Sequence, residues 1–161
     1  MGRTGTFFAF EQLGVRPDLV TLAKGLANGL PIGALLVVDD VAGAFVPGDH
    51  GSTFGGNPVS CAAALAVLEA VDESLLSDVR ERGSQLSAGL EACAAVLSVR
   101  GRGLLLGAVI EGKAVDAVEA ARAQGLLVLT AGEDVIRLAP PLTVTTADAA
   151  DALDLLARIL C

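Results

Sequence analysis

Lys24 is the only charged residue between Asp18 and Asp39, inside the run Leu19-Val20-Thr21-Leu22-Ala23-Lys24-Gly25-Leu26-Ala27-Asn28-Gly29-Leu30-Pro31-Ile32-Gly33. An ammonium in so apolar a setting must be paired, snorkelling or chemically used, because burying an unpaired charge is costly. One chemical use fits: a lysine amine in such a setting forms an imine with an aldehyde cofactor. A second group of residues, Gly48-Asp49-His50-Gly51-Ser52-Thr53-Phe54-Gly55-Gly56-Asn57-Pro58, combines glycines with adjacent hydroxyls. Loops of that kind can turn backbone N–H and Ser/Thr O–H groups toward a phosphate, although many are ordinary turns. The third feature is Arg137, the single cation of Val135-Ile136-Arg137-Leu138-Ala139-Pro140-Pro141-Leu142. It reads as an exposed strand residue, a salt-bridge partner, or a bidentate clamp on a substrate carboxylate. His50, the one histidine, reads as a loop residue that orients backbone, not as a proton carrier.

These residues need elements to hold them. Leu19 to Leu22 and Gly33 to Val38 are apolar runs bounded by Gly, Pro or Asp, and predict two strands. Lys24 then lies just past a strand end, where α/β folds place their chemistry. Asn57-Pro58 starts a helix, since Asn caps and Pro suits the first helical position; the helix runs to about Val71. A second helix, Ser74 to Ala95, has charges on one face and Leu75, Leu76, Val79, Leu86 and Leu90 on the other.

Beyond Val96 the pattern becomes strands around Gly101-Arg102-Gly103, at Leu97–Arg100 and Leu104–Ile110. A helix over Lys113–Gln124 is closed by Gly125, strands follow at Leu126–Thr130 and Val135–Ala139, and Thr145 or Thr146 caps a final helix to Leu160. The boundary between the two halves falls near residues 92–97.

Composition limits the function. The 161 residues are 53% apolar, enough for a core. Only 3% are aromatic and the net charge is −8, so neither base stacking nor charge suits a nucleic-acid partner. Cys61, Cys93 and Cys161 show neither disulfide-framework nor metal-ligand spacing, so no metal site is expected and a reduced, cytoplasmic setting is. Met1-Gly2-Arg3-Thr4-Gly5 does not lead into a signal-peptide core, and no apolar stretch is long enough for a membrane span.

Seven segments occur in one order along the chain: Gly2-Arg3-Thr4-Gly5-Thr6 with Phe8-Ala9-Phe10-Glu11, Gly14 to Asp18, Thr21 to Lys24, Pro31 to Ala34, His50 to Pro58, Arg100 to Leu104, and Ala131-Gly132 through Arg137. In this the chain resembles the class III pyridoxal-phosphate aminotransferases, most of all the acetylornithine aminotransferases. The resemblance implies part of a fold-type-I α/β transferase. Residues 1–95 would be the end of the large cofactor domain with interdomain helices, and 96–161 a small C-terminal α+β domain. It implies Lys24 as the catalytic and cofactor-binding lysine and Thr53 as a phosphate contact reaching into the partner's site of a homodimer. Ser52 and Arg137 would be substrate contacts, Arg137 on the α-carboxylate. The implied cofactor is pyridoxal 5′-phosphate, and the implied substrates are an ω-amino donor such as acetylornithine and 2-oxoglutarate, in arginine biosynthesis.

The family's Asp-Glu-x-x strand, whose Asp pairs with the pyridine nitrogen, has no counterpart in these residues, nor does its upstream phosphate loop. The chain therefore reads as a truncated form, inactive alone, whose first strands lack sheet neighbours. A related aminomutase or decarboxylase, or a non-catalytic assembly module, are the other readings.

Overall fold

Short leucine- and valine-rich runs stopped by Asp, Gly and Pro form the first strands. In the computed structural model, which describes residues 1–160, these are β1 (Leu19–Leu22) and β2 (Ala34–Val37). They pair antiparallel as a two-stranded sheet, with Leu19 opposite Val37 and Leu22 opposite Ala34. One helical turn that the apolar pattern did not reveal, α1 (Asp39–Ala42), follows β2. Helix α2 (Pro58–Ala70) starts where cap chemistry requires: Ser60 N donates to Asn57 Oδ1 at 2.9 Å, and Pro58 needs no partner for a missing N–H. Met1 and Phe8–Asp72 form one unit of the chain. Its core cluster is small: Leu26, Ala27 and Ala64, with Met1, Leu22, Ile32 and Ala63 against it.

The second unit joins Gly2–Phe7 to the residues from Glu73 onward. Helix α3 (Glu73–Glu91) buries Leu76, Val79, Gly83, Leu86 and Leu90, an alternation of three- and four-residue steps that makes one stripe. The sequence pattern divides the chain near residues 92–97; its contacts divide it between Asp72 and Glu73, because α3 lays this stripe on the sheet that follows. That sheet has the order β3-β4-β6-β5, all antiparallel, with β3 Val96–Arg102, β4 Leu105–Ile110, β5 Leu129–Thr130 and β6 Val135–Leu138. In β4, alternate residues Leu106, Ala108 and Ile110 are buried, as a half-covered strand demands.

Helix α4 (Ala114–Ala123) ends in a Schellman motif: Leu126 N donates to Ala121 O at 2.9 Å and Gly125 N to Arg122 O at 3.0 Å, with Gly125 at φ 86°. Leu126 is thus used by the helix end, and the strand expected from Leu126 shortens to Leu129–Thr130. Helix α5 (Thr146–Leu160) is capped by Thr145, whose Oγ1 accepts from Asp148 N at 3.1 Å while Thr145 N donates to Asp148 Oδ2 at 3.2 Å. Thr145 Oγ1 also donates to Asp148 Oδ2 at 2.7 Å, and this hydrogen bond, with the one from Thr145 N, holds the Asp148 carboxyl below its ordinary pKa.

Three backbones meet at Gly103. A Cβ there would lie 2.7 Å from Thr4 C, and one on Gly83 of α3 would lie 2.4 Å from Gly103 O. Only residues without side chains allow α3, the β3–β4 turn and the Arg3–Thr4 segment to approach so closely. Arg3 fastens that segment: its Nη1 donates to Leu104 O at 3.2 Å and to Pro140 O, and Leu104 N donates to Arg3 O at 2.9 Å. Partial burial pushes the Arg3 guanidinium below its ordinary pKa.

Candidate functional site

Lys24 leaves β1 directly into a tight 3-10 turn, Lys24–Ala27, with a backbone φ of 55°. Only Lys24 and Asn28 adopt positive φ among the described non-glycine residues. For a long side chain that conformation costs about 1–2 kcal/mol, so something must hold it. Leu26 and Ala27, exposed by only 5% and 2%, anchor the turn against Ala64 of α2, and Leu26 N closes it onto Ala23 O at 3.1 Å. The lysine itself is exposed, with no ion-pair or hydrogen-bond partner among the described residues. The hydrophobic neighbours Leu26 and Ala27 bury themselves instead of the amine.

The Gly-rich loop is tied to the same connection. Asn57 Nδ2 donates to Phe54 O at 3.2 Å and to Ser60 Oγ at 3.1 Å, and the buried Ser60 hydroxyl donates to Pro31 O at 3.1 Å. Phe54, Asn57, Ser60 and Pro31 thus form one relay from the loop, through the start of α2, to the segment that follows Lys24. Satisfying a buried hydroxyl at both ends is worth more than either bond alone, because leaving it unpaired carries a full desolvation cost.

Within the loop the two hydroxyls differ. Ser52 Oγ accepts from Gly55 N at 2.9 Å and shapes the turn. Thr53 is exposed and its side chain has no partner among the described residues. His50 packs edge-on to Phe45, ring centroids 5.0 Å apart.

Arg137 lies in the other unit, on β6 between buried Ile136 and Leu138, and is itself exposed. It stands opposite Gly107 of β4 and Leu129 of β5. No carboxylate among the described residues pairs with it. The turn that carries Lys24 and the loop that carries Ser52 and Thr53 are thus both tied to α2, while Arg137 is carried by a separate sheet. Sequence reasoning did not reach the strained backbone of Lys24, because φ is set by packing from Ala64, forty residues on. Nor did it single out Arg100, whose place opposite Gly107 depends on strand register.

Among the described residues no group of His, Cys, Asp and Glu could hold a metal, and no helix is long and apolar enough to cross a membrane. The chain matches the aminotransferase class-III family over residues 1–160. It is 49% identical over 161 residues to an acetylornithine aminotransferase of Corynebacterium efficiens, covering 99% of this chain and 40% of that protein. It is 50% identical over 163 residues to that of Gloeobacter violaceus, covering 97% and 40%. A crystal structure of acetylornithine aminotransferase from Elizabethkingia anophelis superposes with a TM-score of 0.91 at 34% identity, over 99% of this chain and 44% of that one. The ornithine aminotransferase of Toxoplasma gondii ME49 gives 0.90 at 32%, over 99% and 40%. The chain thus spans about 40% of the length of these curated relatives. With a family match that runs through every strand and helix described above, this chain belongs to the class-III aminotransferases, a family of pyridoxal-phosphate enzymes.

Proposed function

We propose that these residues supply part of the active site of an acetylornithine-type aminotransferase. It would move the ω-amine of an acetylornithine-like donor to 2-oxoglutarate, giving a semialdehyde and glutamate, in cytoplasmic arginine biosynthesis. The observation that carries this is Lys24: a free amine on a strained turn that a buried anchor and a hydrogen-bond relay hold in place. Strain of that kind persists where surrounding structure over-determines it, and it concentrates at functional positions.

The residues present suit pyridoxal phosphate, since an aldehyde needs an accessible amine and a phosphate needs free hydroxyl donors. Lys24 Nζ would hold the aldehyde carbon and Thr53 Oγ1 the phosphate. When bound, the cofactor supplies an electron-withdrawing ring next to the carbon that carries the substrate amine. Lys24 Nζ would carry the proton to and from that carbon. Arg137 orients the substrate by its carboxylate, and Ser52 shapes the loop beside it. Exposed Thr53 and Phe54 support a homodimer in which this loop reaches the partner's site. The remaining contacts, including the carboxylate for the ring nitrogen, would come from sequence corresponding to the other 60% or so of the relatives' length.

The chain has two lysines, Lys24 and Lys113, which makes an internal control. Incubation with pyridoxal phosphate, borohydride reduction and peptide mapping should label Lys24 selectively. Equal labelling of both would remove the support for this reading. Glutamate formation from acetylornithine and 2-oxoglutarate by the 161 residues alone should be close to background; robust turnover would show that the missing contacts are dispensable.

A further inference from the structure

Ser60 is the only buried polar residue among those described, 4% exposed on the first turn of α2. A hydroxyl placed among apolar neighbours costs stability unless it is used, and a helical serine commonly returns its hydroxyl to its own helix. Ser60 does not. Its Oγ donates to Pro31 O at 3.1 Å, 29 residues back, and accepts from Asn57 Nδ2 at 3.1 Å. The Asn57 carboxamide cannot turn over without loss, because Oδ1 accepts from Ser60 N at 2.9 Å and Nδ2 also donates to Phe54 O at 3.2 Å.

Four residues along α2 from Ser60, and so on the same face, Ala64 packs against Leu26 and Ala27. One helix face thus holds both ends of the connection that Lys24 begins: Ala64 holds its turn, and Ser60 its exit at Pro31. Lys24 and Asn28 adopt φ of 55° and 47° within that connection, conformations that surrounding structure must support. On its other side Ser60 leads through Asn57 to Phe54, the residue after Thr53. Alanine would fill the same place on α2 with better helix propensity, so packing does not explain the serine.

We propose that Ser60 is a positioning residue: it joins the connection of Lys24 and the loop of Thr53 into one body, so that an aldehyde bearing a phosphate is captured at Lys24 in preference to one without. The choice of such an aldehyde rests on the aminotransferase reading. Ser60 acts at one remove, by fixing two groups whose separation a two-point ligand must match. In the capture, Lys24 Nζ bonds the carbonyl carbon with loss of water, and added borohydride then delivers hydride to that carbon.

The test measures the rate of this reductive capture at Lys24, with Lys113 in the same chain as reference. It compares pyridoxal phosphate with pyridoxal, which lacks the phosphate. The unaltered chain should prefer the phosphate ester at Lys24 by about tenfold, and at Lys113 not at all. Ser60→Ala should cut that preference about fivefold, the worth of one hydrogen bond, and leave the pyridoxal rate at Lys24 unchanged. A merely structural role would change both rates together. Asn57→Asp, which keeps the helix cap but has no Nδ2 donor, should lower the preference in the same way. The proposal is overturned if either variant keeps the preference, if Ser60→Ala slows both aldehydes alike, or if the unaltered chain captures the two equally at Lys24. Selective capture of pyridoxal phosphate at Lys24 that Ser60→Ala leaves intact would sink the proposal alone. Equal capture at Lys24 and Lys113 in the unaltered chain would sink the aminotransferase reading, and the proposal with it.

Discussion

In the second unit, α3 and α4 pack on a four-stranded sheet and α5 packs on both helices, so that Leu86, Leu90, Leu104, Ile136 and Leu156 are closed off from solvent. The first unit is different. Its sheet has two strands, its core cluster is three residues, and Leu19, Leu35 and Leu36 on those strands remain nearly half exposed. Phe54 and Val59, at the Gly-rich loop and the start of α2, are 80% and 69% exposed. A two-stranded ribbon is marginal by itself, and apolar surface of this extent marks a face that other structure covers. The difference teaches where each kind of chemistry can live. Arg137 is mounted on a sheet with its own core, whereas Lys24 and the Gly-rich loop stand on a scaffold that is locally tied but poorly buried.

The largest effect that could break this contrast is a pair of truncations. Leu86→Ala should cost about 3 kcal/mol, because Leu86 is buried in the core cluster, whereas Leu36→Ala on β2 should cost less than about 0.5 kcal/mol. Urea denaturation followed by hydrogen exchange would read both. Equal costs would mean that the first unit has a core of comparable weight. A smaller effect is expected at the crossing of three backbones: Gly83→Ala should destabilise the second unit by about 2 kcal/mol, since the obstacle is the Gly103 carbonyl and not a flexible side-chain tip. The exchange rates of β1 and β2 amides should not follow it.

The smallest is at the cap of α5. Thr145→Ala should cost about 1 kcal/mol. The Asp148 pKa is lower in the folded chain than in the unfolded one, so its contribution is present above the usual carboxylate value near 3.9 and is lost as pH falls through the lower, folded value. Melting curves between pH 7 and pH 2 should show that loss, and Asp148→Asn should flatten it. A loss that persists in the Asn variant would move the acid sensitivity to another carboxylate.

What the sequence made legible was local. Asn57-Pro58 announced α2, Gly125 the end of α4, and Thr145 the start of α5, because each obeys chemistry within four residues. The strands at Leu19–Leu22 and Val135–Leu138 were visible as bounded apolar runs. The limits are as physical as the successes. Strand Leu126–Thr130 shrank because one N–H cannot serve a helix end and a ladder at once. Lys24 looked embedded in sequence, but the 3-10 turn it begins buries Leu26 and Ala27 and leaves Lys24 exposed. Arg100 was readable only as part of a motif, since its partner Gly107 is chosen by register across β3 and β4, which no periodicity encodes.

The Arg3 fastening has a consequence for the order of events when the chain is made. Arg3 precedes Pro140, whose carbonyl it holds, by 137 residues. At 5–20 residues per second, that is a wait of roughly 7 to 30 s, far longer than helices or hairpins need to form. For most of it, until Gly103 and Leu104 have been added, the segment Gly2–Phe7 has no β3–β4 turn to lie across. Completion of the second unit is thus a late event, deferred until β6 has emerged, while the lysine turn and its loop, contained within Phe8–Asp72, can be assembled well before.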